Sequence, residues 1–239
     1  QSKKYDVIIN CAAYTEVDKA ESEPELANQI NHLAVRQLAK IAKEQGVVLI
    51  HISTDYVFNG QNHKPYVETD CVDPINVYGK TKLLGEQAIF DVQPKGVIIR
   101  TSWLYSEFGN NFVKTMLRLG EERNSLNLIF DQVGSPTYAG DLAKAIIDII
   151  SSEFKSSEIV SEVYHYSNEG TCSWYDFAKM IFEVRAIKCK INSIEVKDYP
   201  TVAERPHYSV LKKDKIKQGY GLKVPYWQES LRLCLRKLL

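Results

Sequence analysis

What most limits how this chain can fold is a repeated change of period, in which short β-branched runs alternate with stretches of helical spacing. Asp6–Cys11 and Val47–Ser53 read as strands buried on both faces. Between them Pro24–Gln45 reads as a helix. Glu23 and Glu25 suit its N-terminal end, Ile30, Leu33, Leu38, Ile41 and Ala42 recur at helical intervals, and Gly46 stops it. The alternation goes on through a helix near Val77–Phe90, a strand Gly96–Trp103, a helix Asn110–Gly120, a strand Leu126–Phe130 and a helix Gly140–Ile150. This order predicts an α/β fold, a Rossmann-like doubly wound parallel sheet with right-handed crossovers.

After the polar stretch Ser151–Ser161 come a strand near Val163–Tyr166 and an amphipathic helix Ser173–Val184, with Ser173 as N-cap and Asp176 three residues on. The Tyr199–Tyr226 tail is less regular and is expected to cover a ligand cleft before a last helix, Gln228–Leu238, returns to the body. The expected division gives residues 1-105, 128-172 and 228-239 to a nucleotide-binding domain, and 106-127 and 173-227 to a small C-terminal substrate-binding domain.

Composition narrows the partners. A chain of 239 residues, 44% of them hydrophobic, suffices for one core and a satellite. Thirty basic residues balance thirty acidic ones, so no global field draws nucleic acid or an anionic membrane, and a small molecule is the expected partner. Even the apolar stretch Leu142–Ile150 is broken by Lys144 and Asp148, and nothing approaches the roughly 18–20 residues that cross a bilayer. The five cysteines, Cys11, Cys71, Cys172, Cys189 and Cys234, are scattered, without the close pairs of a zinc site. Reduced thiols in a cytoplasm, and no metal, are expected.

Three tyrosines stand four residues ahead of a lysine: Tyr78 with Lys82, Tyr175 with Lys179 and Tyr208 with Lys212. On a helix that spacing puts both heads on one face. About one such pair arises by chance in a chain of this composition, so context has to decide. Tyr175 sits among Trp174, Phe177, Ile181 and Phe182, where packing explains an aromatic, and Tyr208 lies in the irregular tail. Tyr78 opens a helix that follows Ser53-Thr54-Asp55-Tyr56-Val57-Phe58 at a strand's C-terminal end, where open parallel sheets bind ligands. A phenol has to give or take a proton near neutral pH to serve carbonyl reduction, and a nearby ammonium is expected to acidify it. Thr54 is the expected polariser of the carbonyl, with Ser53 its competitor. Asn10-Cys11-Ala12-Ala13-Tyr14-Thr15 ends the first strand with small residues that let a flat ligand approach. Asn31 is read equally as polar core or as site support.

Taken in order, Asn10–Thr15, Val17–Glu21, Ser53–Phe58, Tyr78–Lys82, Arg100–Trp103, Gly134–Thr137 and Arg205-Pro206 resemble the dTDP-4-dehydrorhamnose reductases, an extended short-chain dehydrogenase family. The resemblance implies reduction of the 4-keto group of dTDP-4-dehydro-6-deoxy-L-mannose to dTDP-L-rhamnose, with NADPH or NADH as cofactor and a dTDP-sugar as partner. It implies Thr54, Tyr78 and Lys82 as the catalytic trio. Asn10, Cys11, Ala12, Ala13, Tyr14 and Ser53, together with Tyr78 and Lys82, would meet the cofactor. Thr15, Thr54, Asp55, Tyr56, Trp103 and Arg205 would meet the sugar nucleotide, Arg205 as a two-point diphosphate ligand. The bland readings are core packing for Trp103 and a surface ion pair for Arg205.

The family pattern opens with a glycine-rich phosphate-binding turn, and nothing of the form Gly-x-x-Gly-x-x-Gly precedes Asp6. The first two βα units are therefore expected to lie outside these 239 residues, which alone are expected to bind cofactor poorly or not at all. A homodimer would cover the apolar face so left. Two rivals stand beside the reductase. One is a non-catalytic subunit of the same fold, like the regulatory subunit of methionine adenosyltransferase. The other is a sugar-nucleotide epimerase or dehydratase, although Thr54 is followed by a single acid where a dehydratase is expected to carry two.

Overall fold

The computed structural model describes residues 5–153 and 161–238. Strand β1 (Val7–Asn10) leads through α1 (Val17–Ala20) into a helix of three parts, α2 (Pro24–Asn28), a π-helical segment Gln29–Leu33 and α3 (Ala34–Gln45). Then come β2 (Val48–Thr54), α4 (Val77–Val92), β3 (Gly96–Thr101), β4 (Leu104–Tyr105), α5 (Phe112–Glu122) and β5 (Ser125–Ile129). The chain continues with β6 (Val133–Gly134), β7 (Thr137–Tyr138), α6 (Ala139–Glu153), β8 (Glu162–His165), β9 (Cys172–Ser173) and α7 (Trp174–Arg185). It closes with β10 (Lys190–Ile194), α8 (Asp214–Tyr220) and α9 (Trp227–Lys237).

The main sheet has the order β1-β2-β3-β8, all parallel. Its two faces carry separate cores. On one, Val48, Ile50, Val97 and Ile99 meet Leu142, Ala145, Ile146 and Ile149 of α6 and Ile216 of α8. On the other, Leu49 and Ile98 meet Val35, Ala39 and Ala42 of α3 and Ile89 of α4. β2 and β3 are buried on both sides, as continuous apolar runs in a covered parallel sheet should be. A third core gathers Tyr105, Met116, Phe177, Ile181, Trp227, Leu231 and Leu235 from β4, α5, α7 and α9.

Two features depart from expectation. The buried stripe of the long helix is Ala27, Asn31, Val35, Ala39 and Ala42, whereas Leu33 and Ile41, expected inside, are 42% and 40% exposed. The π-helical turn inserts one extra residue, and each residue rotates the face by roughly 100°, so the regular 3.6 period loses phase there. The strand β10 was not foreseen, because Lys190 and Asn192 break its apolar pattern; it pairs in parallel with β5 as a two-stranded satellite. The last helix buries Trp227, Leu231 and Leu235 in the Phe177 core and bonds Asp141 of α6 and Asn168 through Ser230, while α8 packs Ile216 on the sheet. Residues 154–160 of the polar stretch lie outside the described residues.

Ser173 caps α7 as expected: its Oγ accepts from Asp176 N at 3.1 Å while Asp176 Oδ2 accepts from Ser173 N at 3.1 Å.

Candidate active site

Strand β2 ends at Thr54, and helix α4 starts at Val77 directly alongside, because two glycines let it. A Cβ on Gly79 would lie 2.2 Å from the Tyr56 carbonyl oxygen, and one on Gly85 2.3 Å from that of Asn31. Only hydrogen fits at either place, so α4 lies against both the β2 end and the π-helical turn. Asn76 caps α4, its Oδ1 accepting from Gly79 N at 2.8 Å. Asn31, fully buried, reaches across from the π-helical turn: Oδ1 accepts from Tyr14 N at 2.8 Å, and Nδ2 donates to Tyr14 O and Thr81 Oγ1, each at 3.1 Å. It thereby ties the loop after β1 to α4, a supporting role built from buried polar bonds.

These elements enclose a cavity of about 320 Å³ at the C-terminal edge of the sheet. Of the residues expected there, Cys11, Ala13, Thr15, Ser53, Thr54, Asp55, Tyr56, Tyr78, Lys82 and Trp103 line it. Thr54 Oγ1 accepts from Tyr56 N and donates to Asp55 Oδ1, both at 3.1 Å, and Thr54 lines the same cavity as Tyr78. Ser53 is disposed differently: its hydroxyl donates to Glu86 Oε1 at 2.5 Å and is committed there. Both hydroxyls thus give their protons to a carboxylate, Ser53 at the shorter distance.

The expected acidification of Tyr78 by Lys82 is corrected. Burial, above all, pushes the phenol up to about 12; Asp55 adds to the rise, and Thr54 opposes it. Lys82 is not among the groups that shift Tyr78, and its Nζ donates to the Ile52 carbonyl at 2.6 Å. The ammonium is 1% exposed as a residue, and burial lowers it from 10.5 to about 8, with Glu86 opposing. Asp55 is buried too, and burial raises its carboxyl from 3.8 to about 7, with Oδ2 left without a hydrogen-bond partner.

Four further expected contacts do not line the cavity. Asn10 is buried, with Nδ2 donating to His51 Nδ1 at 3.0 Å and Oδ1 accepting from Ala12 N at 3.2 Å, so it shapes the turn that presents Ala12 and Ala13. Ala12 itself is exposed beside the cavity. Tyr14 turns away, packing with Ala20, Ala27 and Ile30 and donating its hydroxyl to Glu23 Oε2 at 2.8 Å. Arg205 gives its fork to Asp18, NH1 to Oδ1 at 3.0 Å and NH2 to Oδ2 at 2.6 Å, with NH1 also on Ala203 O at 2.8 Å. This is the ion pair that was its bland reading.

Two cavity-side residues were missed. Trp174 lines the cavity and stacks on Trp103, centroids 3.5 Å apart and planes 9° from parallel. Trp103 sits at φ 47°, in the left-handed region that costs a bulky residue about 1–3 kcal/mol, over Gly134, where a Cβ would meet the indole at 2.6 Å. Glu86, one helical turn beyond Lys82, was the other. Its Oε2 accepts from Arg100 NH2 at 2.7 Å, and the pair is almost fully buried. The signal for Glu86 was present, a lone acid in the apolar run Leu83–Phe90.

The dinucleotide cofactor implied by the resemblance finds fitting features here: a sheet edge ending in the exposed small residues Cys11 and Ala12, and an ammonium and a phenol facing the same cavity. Among the described residues no cluster of His, Cys, Asp and Glu could hold a metal ion, and no helix is long and apolar enough to cross a membrane.

Comparison with known proteins agrees. The RmlD substrate binding domain family matches residues 1–239. The chain is 44% identical over 238 residues to the dTDP-4-dehydrorhamnose reductase of Aggregatibacter actinomycetemcomitans, covering 97% of this chain and 81% of that protein. It is equally 44% identical, over 244 residues, to the dTDP-4-dehydrorhamnose reductase of Escherichia coli K12, covering 100% of this chain and 81% of that protein. The crystal structure of dTDP-4-dehydrorhamnose reductase from Bacillus anthracis in complex with NADP superposes with a TM-score of 0.92 at 41% identity, over 97% of this chain and 80% of that one. A TM-score of 0.81 with a dTDP-glucose 4,6-dehydratase from Streptomyces venezuelae, at 15% identity, extends the likeness in fold alone. With its parallel sheet, its cavity at the strand ends and this near-complete match, the chain belongs to the dTDP-4-dehydrorhamnose reductase family.

Proposed function

We propose that this chain is the catalytic and substrate-binding body of an NAD(P)H-dependent reductase that converts the 4-keto group of dTDP-4-dehydro-6-deoxy-L-mannose to the alcohol of dTDP-L-rhamnose. The observation that carries this reading is the convergence of Thr54, Tyr78 and Lys82 on one cavity at the C-terminal edge of the sheet.

The nicotinamide supplies a hydride when bound. The chain's own residues prepare the carbonyl. Thr54 Oγ1 turns its proton from Asp55 Oδ1 to the carbonyl oxygen, and Tyr78 protonates that oxygen as charge develops on it. A phenol held at about 12 stays protonated at neutral pH, so it starts each turnover as the acid form. Lys82, on the same helix face, holds the ribose hydroxyls. Ala12 and Ala13 give the flat ring close approach to the backbone. Trp103 and Tyr56 pack the sugar, and Thr15 and Asp55 bind polar groups of the sugar nucleotide. Arg205 reaches the diphosphate by exchanging Asp18 for the ligand.

A cytoplasmic setting belongs to this reading and is supported by five free cysteines. So does a homodimer, supported by Leu33 and Ile41 on one helix and Leu84 and Phe90 on its neighbour, all partly exposed. The test is turnover of the protein with the 4-keto sugar nucleotide and each reduced cofactor, followed by cofactor absorbance. Stoichiometric cofactor consumption is expected. Conversion of the sugar without net consumption would make the protein an epimerase, and inertness with both cofactors would make it a binding subunit.

A further inference from the structure

Lys82 is a cation in an unfavourable place, almost wholly withdrawn from water, with its Nζ donating to one backbone carbonyl, that of Ile52. Taking an ammonium out of water favours the neutral amine, so something has to hold the charge. The groups facing it are few. From the end of β1 comes the exposed Cys11, whose thiol is pushed up from its ordinary value, and from β2 comes His51, which burial keeps neutral. From its own helix comes Glu86, four residues on and on the same face. From β3, Arg100 reaches Glu86 with Nε at 3.0 Å and NH2 at 2.7 Å, and from β2 Ser53 donates to Oε1 at 2.5 Å.

The carboxylate is thus fixed by three donors one helical turn from Lys82, with Lys82 and Glu86 bonded to the consecutive strand residues Ile52 and Ser53 and with Arg100 competing for the carboxylate's charge. We propose that Glu86 is a positioning residue for Lys82, the buried counter-charge that keeps the ammonium protonated while Arg100 and Ser53 hold the carboxylate in place. What the ammonium does in turnover rests on the reductase reading above; the electrostatic coupling itself does not.

That separation shapes the test. In the 239-residue protein labelled with nitrogen-15, the Lys82 Nζ resonance, assigned with Lys82→Arg, is followed through a pH titration. The wild type should titrate near 8. Removing the negative charge as Glu86→Gln, which keeps an oxygen for Ser53, should lower the Lys82 midpoint by about one pH unit or more, because burial then goes unopposed by that carboxylate. Glu86→Asp should restore it. A purely structural ion pair predicts a lower melting temperature for Glu86→Gln with the Nζ midpoint unmoved, and that result would overturn the proposal. Should Glu86→Gln not fold, the wild type decides alone. The Glu86 carboxyl carbon must change its shift at the Lys82 midpoint, and silence there overturns the coupling equally. Turnover of the same variants is read in parallel. An alkaline limb of kcat that follows the Nζ midpoint supports both readings, while a moved Nζ midpoint in a protein inert toward the sugar nucleotide upholds the coupling and discards the reductase.

Discussion

The Phe177 core and the face of α4 that meets the sheet end are both buried, yet they are built from opposite materials. The first is closed by rings: Phe177 lies 5.4 Å from Tyr105, 5.5 Å from Phe112 and 5.7 Å from Trp227, centroid to centroid. The second buries Asn31, Thr81, Lys82 and Glu86 where a core normally places aliphatics, and satisfies them with named partners. Apolar packing is non-directional and forgiving of small shifts. Buried polar bonds are directional, and each is costly to leave unmade. The molecule therefore spends its stability in one region and its geometric precision in the other.

The sharpest way to test this contrast is Tyr78→Phe, which removes one hydroxyl and no packing. Turnover should fall by about 10²–10⁴-fold while the melting temperature stays within a few degrees. Phe177→Ala should do the reverse, costing about 3–5 kcal/mol in a denaturant titration through the cavity left among three rings. Asp55 gives a pH-dependent version. Its folded carboxyl, raised from 3.8 to about 7, holds a proton that the unfolded chain has already lost, so stability falls as pH rises between those two values. Asp55→Asn should accordingly stabilise the protein at pH 8 relative to wild type and do little at pH 3, as paired thermal melts would reveal. At the small end, Ser173→Ala removes the capping box of α7 and should cost about 1 kcal/mol, with no change in the reaction.

How far the sequence announced all this varied by the kind of pattern. The strands of the main sheet were legible because β2 and β3 are largely apolar runs rich in β-branched residues, and α7 because its cap and period agree. The π-helical turn was not legible, since one inserted residue leaves no compositional mark, and the stripe expected around Leu33 and Ile41 rotated outward in consequence. Tyr78, Lys82 and Thr54 were found from spacing and context. Glu86 and Trp174 were passed over for opposite reasons: an acid in an apolar helix face was not weighed as a buried ion, and a tryptophan beside Phe177 was absorbed into packing. Tyr14 and Arg205 show the limit of motif transfer, because a matched residue type does not say which neighbour its polar end has already taken.

The π-helical turn acts as a screw-thread adjustment. Deleting one residue between Gln29 and Leu33 would let the helix relax to ordinary pitch, swinging its first half through roughly a quarter turn relative to its second. Asn31 would then leave both Tyr14 and Thr81, and the loop that offers Ala12 and Ala13 would lose its tether to the reacting helix. A surplus residue in a helix, easily mistaken for an irregularity, sets the phase on which alignment of the whole cleft depends.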